Sequence, residues 1–497
     1  MNFDYLKKFP KLRKLWGYCS DAEQLVYTRP SLSGMSARQA LEYLVKLVYA
    51  SKIAPAGELT LFDMLDDPRF IDWIHDSYLL NAMHCVRKMG NAAVHQGDLT
   101  ESEALKVLEN LHFLVGEIML IFGVVDDYPE FVKPERKAKA PVPAPSIPAK
   151  PEKVQPEPEV VAEFAQRMRK TVFDTTHGRD ENENKKLFIA ASLRESGWKM
   201  VSVPNQAMPC CASLNCIVDD SGEMIDYILN GRDNRPLAVI EETETKKNPV
   251  LGRKKAIAVA KKLEQKYGYK PVVYYTDGYH IDCIDQLGFP VRRVFDFHTI
   301  EELELLKQRR TMRQDISDPV IDENITNRDY QKNAIRAVCN AFSGNRRRSL
   351  IVMATGTGKT RVSISTVDVL MKANWVKNVL FLADRTSLVK QAHKNFNKLL
   401  PNVTTSVYSG GSMNRDENAR VIFSTYQTMI GLITDEKKQF GIGRFDLIII
   451  DEAHRSIFKK YRALFHYFDA LMLGLSATPR SEENKSTYQV FALGNNE

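Results

Sequence analysis

"SLIVMATGTGKTRVSISTVDVLMKA", residues 349–373, decides the fold. An apolar run of strand length enters a glycine-rich loop, and the loop opens into a stretch with helical apolar spacing. Strand, loop and helix in that order form a seat for a triphosphate. The glycines let backbone N–H groups approach the phosphates, and the helix N-terminus faces their negative charge. Lys359 can then reach the β and γ phosphates, and Thr360 can ligate Mg²⁺. The strict pattern would start with a glycine where Met353 stands. Further along, "LIIIDEAHRS" puts Asp451 and Glu452 at the carboxyl end of a buried strand. There Asp451 can hold Mg²⁺ through its waters, and Glu452 can orient an attacking water. "LGLSATPR" follows, and "NRDYQKNAIRAV" lies upstream, with Tyr330 and Gln331 placed to contact adenine. The short apolar runs "SLIVMAT", "NVLFLAD", "RVIFST", "FDLIIID" and "LMLGLSAT" are separated by helical stretches. This pattern predicts a parallel sheet with helices on both faces.

The chain has 497 residues, enough for about three domains at roughly 100–200 residues each. Its hydrophobic content of 44% and charged content of 26% are those of globular protein. A net charge of +7 permits a nucleic-acid partner without establishing one. The 7 cysteines are too sparse for a disulfide framework and fit a reducing cytoplasm. Cys210, Cys211 and Cys216 cluster, but they lack a paired C-x-x-C repeat and a nearby histidine, so thiols rather than a zinc site are expected. "FLVGEIMLIFGVV", 113–125, is too short to span a bilayer and contains Glu117. It reads as a buried helix, so no membrane association is expected.

Residues 134–158 hold 8 of the 22 prolines, a composition that forms an extended linker rather than a core. Before it, 1–133 reads as an all-α domain. "ARQALEYLVKLVYASKI" and "ESEALKVLENLHFLVGEIMLIF" carry apolar residues at three- and four-residue spacing, and Thr100 with Glu103 offers a capping box. After it, 159–310 is mixed α/β, and a second break near 310–325 opens the strand–helix alternation of 311–497. Within the middle domain, "GEMIDYILNGRDNRPLAVIEETETKKNP" reads as a hairpin with Asp226 on its first strand and Glu241 at the end of its second. Together these carboxylates can hold the Mg²⁺ that metal-assisted phosphodiester hydrolysis requires. The helix "ENENKKLFIAASLRESGW" can add Glu183, and a helix from Gly252 and the strand "PVVYYTDG" follow.

Tyr-Gln, Gly-Thr-Gly-Lys-Thr, Asp-Glu-Ala-His and Ser-Ala-Thr-Pro, in that order over 326–480, resemble superfamily-two helicases and translocases. The resemblance implies a RecA-like motor lobe that uses ATP and Mg²⁺. It implies further nucleotide contacts from Thr355, Gly356, Thr357, Gly358, Arg361, His454, Ser476 and Thr478. It also implies nucleic-acid backbone contacts from Arg385 in "ADRTSL" and from Ser424 and Thr425 in "STYQTM". Arg346–Arg348 is expected to be solvated surface. These motors close ATP between two lobes, and only one lobe lies in this sequence, so the chain looks like part of a longer protein. In the middle domain, the order helix, acid-bearing strands, helix, strand is similar to that of PD-(D/E)xK nucleases. A nuclease-like domain directly before such a motor resembles the R subunit of type I restriction enzymes, as do "DEAHRSI", "LADRTSLVKQA" and the N-terminal "RKMGNAAVHQGD". That resemblance implies an ATP-dependent translocase and endonuclease. It would act on unmodified double-stranded DNA in the cytoplasm, together with modification and specificity subunits. Two other readings stay open: a DNA-dependent ATPase whose degenerate nuclease domain only binds, and a non-catalytic interaction fragment. Arg87 and His95 loosely resemble a helical ribonuclease motif; the alternative is a tight helix-packing turn at Gly90.

The nuclease pattern departs from the family at one place. Asn248, Pro249 and Gly252 fix a register in which Glu241 is the acid and Thr243 stands where lysine belongs. Lys255 and Val259 replace a glutamine and a tyrosine on the following helix, four residues apart and so on one face. Three accounts follow. The site is degenerate, or Glu244 and Lys246 serve through a slipped strand, or Lys255 supplies the charge from the helix. Alternatively, these charges form an ordinary solvated strand end.

Overall fold

The computed structural model describes residues 1–55, 59–95, 99–136, 154–167, 181–201, 207–218, 222–243, 249–408, 415–433, 439–453, 461–477 and 491. The chain divides into two compact units, Met1–Glu195 and Ser196–Glu497.

The first unit is helical, with α1 (Arg13–Leu25), α2 (Pro30–Lys52), α3 (Leu61–Leu65), α4 (Pro68–Ile74), α5 (Ser77–His95), α6 (Glu101–Ile121), α7 (Pro158–Gln166) and α8 (Glu181–Glu195). α6 starts at the expected capping box. Thr100 Oγ1 accepts from the Glu103 N–H at 3.2 Å, and the Glu103 carboxylate accepts from the Thr100 N–H at 2.9 Å. The apolar stretch after it is buried from Phe113 to Met119. Thr100→Ala should cost this unit about 1 kcal/mol, the usual loss for an N-cap hydroxyl, read as a lower urea midpoint at unchanged slope. Gly90 is a packing glycine, because a Cβ there would lie 2.5 Å from the Cβ of Arg38 on α2. Arg87 is buried with its guanidinium 5.2 Å from the Phe62 ring centre, which places it in helix packing rather than on a surface groove. The side chain of His95 lies outside the described residues.

The units divide elsewhere than the composition predicts. α7 and α8, assigned by sequence to the domain starting at 159, pack with the N-terminal helices. Phe164 of α7 meets Phe122 at 4.8 Å, and Tyr43 donates to Glu157 at 2.8 Å. Arg194 of α8 pairs with Glu103 at 2.7 Å. The proline-rich composition masked this, because apolar residues such as Val160 and Phe164 resume directly after it and need a partner to bury them. Residues 137–153 of the expected linker lie outside the described residues.

The second unit carries two sheets. In the first, the described strands β1 (Lys199–Val201), β2 (Cys211–Ile217), β3 (Met224–Asn230), β4 (Pro236–Glu242), β5 (Val272–Thr276), β6 (Ile281–Ile284) and β7 (Arg292–Val294) lie side by side in chain order. β3 and β4 form the predicted antiparallel hairpin, while β4 and β5 are parallel and joined by α9 (Pro249–Tyr267). The α9 residues Ala256, Val259, Ala260 and Leu263 pack on Ile228, Val239 and Val273. Val259 is therefore core, not a residue looking into the acidic site. Cys211 and Cys216 are buried on β2.

The second sheet has β8 (Arg348–Val352), β9 (Val379–Ala383), β10 (Thr405–Tyr408), β11 (Val421–Thr425), β12 (Leu447–Ile450) and β13 (Leu471–Ser476) in the order β10-β11-β9-β12-β13-β8. Every pairing between these strands is parallel. β9 and β12 are fully buried, as a sheet covered on both faces requires. Helices α10 (Ile300–Met312), α11 (Asp329–Ser343), α12 (Lys359–Lys372), α13 (Thr386–Leu399), α14 (Tyr426–Ile433) and α15 (Arg462–Tyr467) are further described helices of this unit.

The break expected at 310–325 does not separate the two sheets. The Gln314 N–H donates to the Ala373 carbonyl at 3.0 Å, and the Trp375 indole donates to the Gln314 carbonyl at 2.8 Å. A buried ion cluster joins them as well. Asp469, just before β13, receives both arms of Arg292 on β7 at 2.6 Å, Arg347 at 2.7 Å and His298 Nε2 at 3.1 Å. Arg292 also pairs with Asp285 at 2.8 Å, and Arg309 of α10 pairs with Asp446, just before β12, at 2.5 Å. Burial alone would raise the Asp469 carboxyl, but the Arg292 and Arg347 guanidinium groups and the hydrogen bond from His298 hold it well below the usual carboxylate range. Arg347, expected on the solvated surface, is instead drawn into this cluster, adding a second guanidinium to the buried Asp469.

Candidate active sites

The parallel sheet brings the nucleotide motifs to one rim, the carboxyl ends of its strands. The loop after β8 is open, with Thr355 and Gly356 exposed. Gly356 and Gly358 have φ of 82° and 95°, a left-handed backbone that side chains disfavour. Lys359 opens α12, and its Nζ folds back onto the Met353 carbonyl at 3.1 Å. Thr360, directly after it, is half-buried. The Met353 N–H donates to the Ser476 carbonyl at 3.0 Å, so Ser476 enters the site through its backbone. Arg361 reaches away from the loop, to the Ile325 carbonyl at 3.2 Å.

Tyr330 and Gln331 both donate to the Thr357 carbonyl, at 3.0 and 2.8 Å. Tyr330 keeps an exposed ring that an adenine can meet. Gln331 is buried against Gly358, where a Cβ would come within 2.4 Å of its Nε2, so its amide nitrogen braces the loop. Asp451 follows β12. Burial and the neighbouring Glu452 raise its pKa, while the charge of Lys359 opposes that rise. Glu452 has φ of 53°, backbone strain of the kind that accumulates at functional turns. Sequence reading missed Tyr426, which is buried and donates to the Asp451 carbonyl at 3.1 Å; an aromatic directly after the Ser-Thr pair was the available signal. His454 and Thr478 lie outside the described residues.

Of the expected nucleic-acid contacts, Arg385 is exposed at the start of α13 on the same rim. Thr425 is half-buried, with its hydroxyl 2.9 Å from that of Thr428. Ser424 is buried and donates to the Tyr408 carbonyl at 3.1 Å, so it does not present its hydroxyl to a ligand.

The first sheet holds the acidic pair. Tyr227 pairs with Ile240, which sets Asp226 directly across from Glu241 on the α9 face. Asp226 accepts from the Glu242 N–H at 2.7 Å. Glu241 Oε1 receives Lys255 Nζ at 2.6 Å, while its Oε2 is buried with no hydrogen-bond partner. Burial pushes the Glu241 carboxyl up to about 7; Lys255 opposes the rise and Asp226 adds to it. An orphaned acceptor beside a second carboxylate fits a divalent cation. Among the described residues no third acid or histidine completes a ligand cluster. Glu244, Lys246 and the side chain of Glu183 lie outside them.

Residues 324–481 match the family model described as "Type III restriction enzyme, res subunit". Over 297 residues the chain is 31% identical to the type I restriction enzyme EcoAI endonuclease subunit of Escherichia coli, covering 54% of this chain and 34% of that one. It is 30% identical to the EcoKI endonuclease subunit of Escherichia coli strain K12 over 176 residues, 31% of this chain and 15% of that one. A fragment structure assigned to an HsdR subunit of a type I restriction enzyme from Vibrio vulnificus YJ016 matches at 25% identity and a TM-score of 0.28. That match covers 64% of this chain and 59% of that one. The chain thus spans about a third of the length of the EcoAI subunit and less of the EcoKI subunit. On these matches the chain is similar, over part of their length, to type I restriction enzyme endonuclease subunits, and residues 324–481 match a model of a restriction-enzyme subunit.

Proposed function

We propose that the chain forms part of an R subunit that hydrolyses ATP to draw duplex DNA past a type I restriction complex and cuts unmodified DNA. The observation that carries this reading is the shared rim on which Lys359, Thr360, Asp451 and Glu452 meet. Lys359 would leave the Met353 carbonyl for the β and γ phosphates, a charge-assisted exchange that any bound triphosphate favours. Thr360 and Asp451 would hold Mg²⁺, which neutralises developing charge on the phosphates when bound. Glu452, on its strained turn, would orient the attacking water. Arg385 would meet the DNA backbone, contributing salt-sensitive affinity without sequence preference. The first sheet of the second unit is read as a PD-(D/E)xK-type nuclease, in which Asp226 and Glu241 would hold a catalytic Mg²⁺. Such a cation activates water for attack on a phosphodiester.

Modification and specificity subunits are the partners this reading requires, with the cytoplasm as its compartment. No helix among the described residues is long and apolar enough to cross a membrane. The test is cleavage of unmethylated plasmid by the full protein with its partner subunits, Mg²⁺ and ATP. Phosphate release stimulated by DNA, together with linear product, is the expected result. ATP turnover indifferent to DNA, with intact plasmid, would refute it.

A further inference from the structure

Thr243 stands where the nuclease pattern calls for lysine, and the structure shows what it does there. It is buried, and its N–H donates to the Thr276 carbonyl at 2.6 Å. Its methyl carbon lies 2.4 Å from where a Cβ on Gly252 would be, so the first turn of α9 is seated directly on it. One turn further along α9, Lys255 reaches Glu241 at 2.6 Å. The pair is lopsided: the Glu241 side chain is 8% exposed and that of Lys255 is 40% exposed. Lys255 is thus the solvent-facing member of the pair, while Glu241 Oε2 is buried without a hydrogen-bond partner. The rotation of α9 is fixed by Ala256, Val259, Ala260 and Leu263, all in the core, so Lys255 is held on this side.

We propose that Lys255 supplies, from helix α9, the positive charge with which the Asp226–Glu241 pair would act on a DNA phosphodiester, and that Thr243 has become the packing seat for that helix. The proposal rests on the nuclease reading above. Hydrolysis adds one water: its oxygen bonds to phosphorus, the bond from phosphorus to one ester oxygen breaks, and that oxygen leaves as a hydroxyl with one of the water's protons. Lys255 keeps its own protons throughout. From the solvent side its ammonium would face the phosphoryl oxygens, where negative charge grows in the transition state.

The geometry also offers a rescue. Thr243 and Glu241 both border Gly252, since a Cβ there would lie 2.4 Å from Thr243 Cγ2 and 3.6 Å from Glu241 Cγ. A lysine at 243 would start beside the same carboxylate but must displace the close-packed turn of α9. Lys255→Gln and the double variant Thr243→Lys with Lys255→Gln would be assayed for plasmid cleavage in the full protein with its partner subunits. Ca²⁺ binding to the same proteins would be measured by calorimetry without DNA. Lys255→Gln should cut about 100-fold more slowly or worse, the scale of one lost charge-stabilising donor, yet bind Ca²⁺ at least as well as wild type. The double variant should regain about tenfold or more of the lost rate. Lys255→Gln cutting near the wild-type rate, or losing Ca²⁺ binding together with cleavage, would overturn the proposal. Failure of the wild-type assembly to cut at all would refute the nuclease reading itself, a separate outcome.

Discussion

Lys359→Ala should lower ATP hydrolysis by the assembled protein about 10²–10³-fold or more, the scale of removing one preorganised charge donor. Asp451→Ala should do the same by a different route. Lys359 opens α12 behind two glycines with left-handed backbone, so no other side chain of the loop can replace its reach. Its present partner is a single carbonyl on its own loop, that of the half-buried Met353. The fold should therefore survive while the chemistry is lost. Asp451 is the described carboxylate that Lys359 influences, and its removal takes away the proposed Mg²⁺ partner of Thr360. Steady-state phosphate release with DNA present would read both effects. Wild-type rates in either variant would show that nucleotide is handled elsewhere.

Asp469→Ala should be the most destabilising single change in the second unit, at about 3–5 kcal/mol, because it strands buried charge that has no other neutralising partner of equal reach. The side chain is 6% exposed and serves Arg292, Arg347 and His298 at once. Asp285 takes another arm of Arg292 but cannot replace the bidentate contact. Urea unfolding followed by a probe in this unit should show the loss; a change within about 0.5 kcal/mol would mean the cluster is solvated in solution. The pH dependence has a definite sign. With its folded pKa depressed, Asp469 stabilises fully above the ordinary carboxylate range and loses that contribution only as pH falls through its depressed value. Mild acid should therefore leave the cluster in place.

The parallel sheet of the second unit was legible in the sequence because its information is local. Apolar runs of four to six residues and glycines at fixed offsets describe a buried parallel strand and a phosphate loop without reference to anything distant. The hairpin carrying Asp226 and Glu241 was legible for the same reason, with alternating strands around a Gly-Arg-Asp-Asn turn. What escaped was pairing at long range. Nothing local to Arg347 or Asp469 announces that they meet across 122 residues. The proline-rich stretch marked a compositional boundary, but the compact units part at Glu195, where packing decides. Val259 shows the limit of helical spacing. Four residues from Lys255, it shares a helix face in projection, yet one side chain enters the core and the other reaches Glu241 from the solvent side. Gln331 and Ser424 show a further limit, since a motif names the residue but not the direction of its side chain.

Arg347, Asp446 and Asp469 precede β8, β12 and β13, at the ends opposite the nucleotide loop. Strands of four to six residues at roughly 3.3 Å per residue make stiff struts of about 13–20 Å. One end of each strut is seated beside the nucleotide rim; at the other, Asp469 and Arg347 are tied to Arg292 and Asp285 on the side of the first sheet, and Asp446 is tied to Arg309 of α10. The acidic pair cannot swing independently of the nucleotide loop unless the ionic clamp opens, so in mechanical terms the proposed cutter and the proposed nucleotide rim move as one rigid piece.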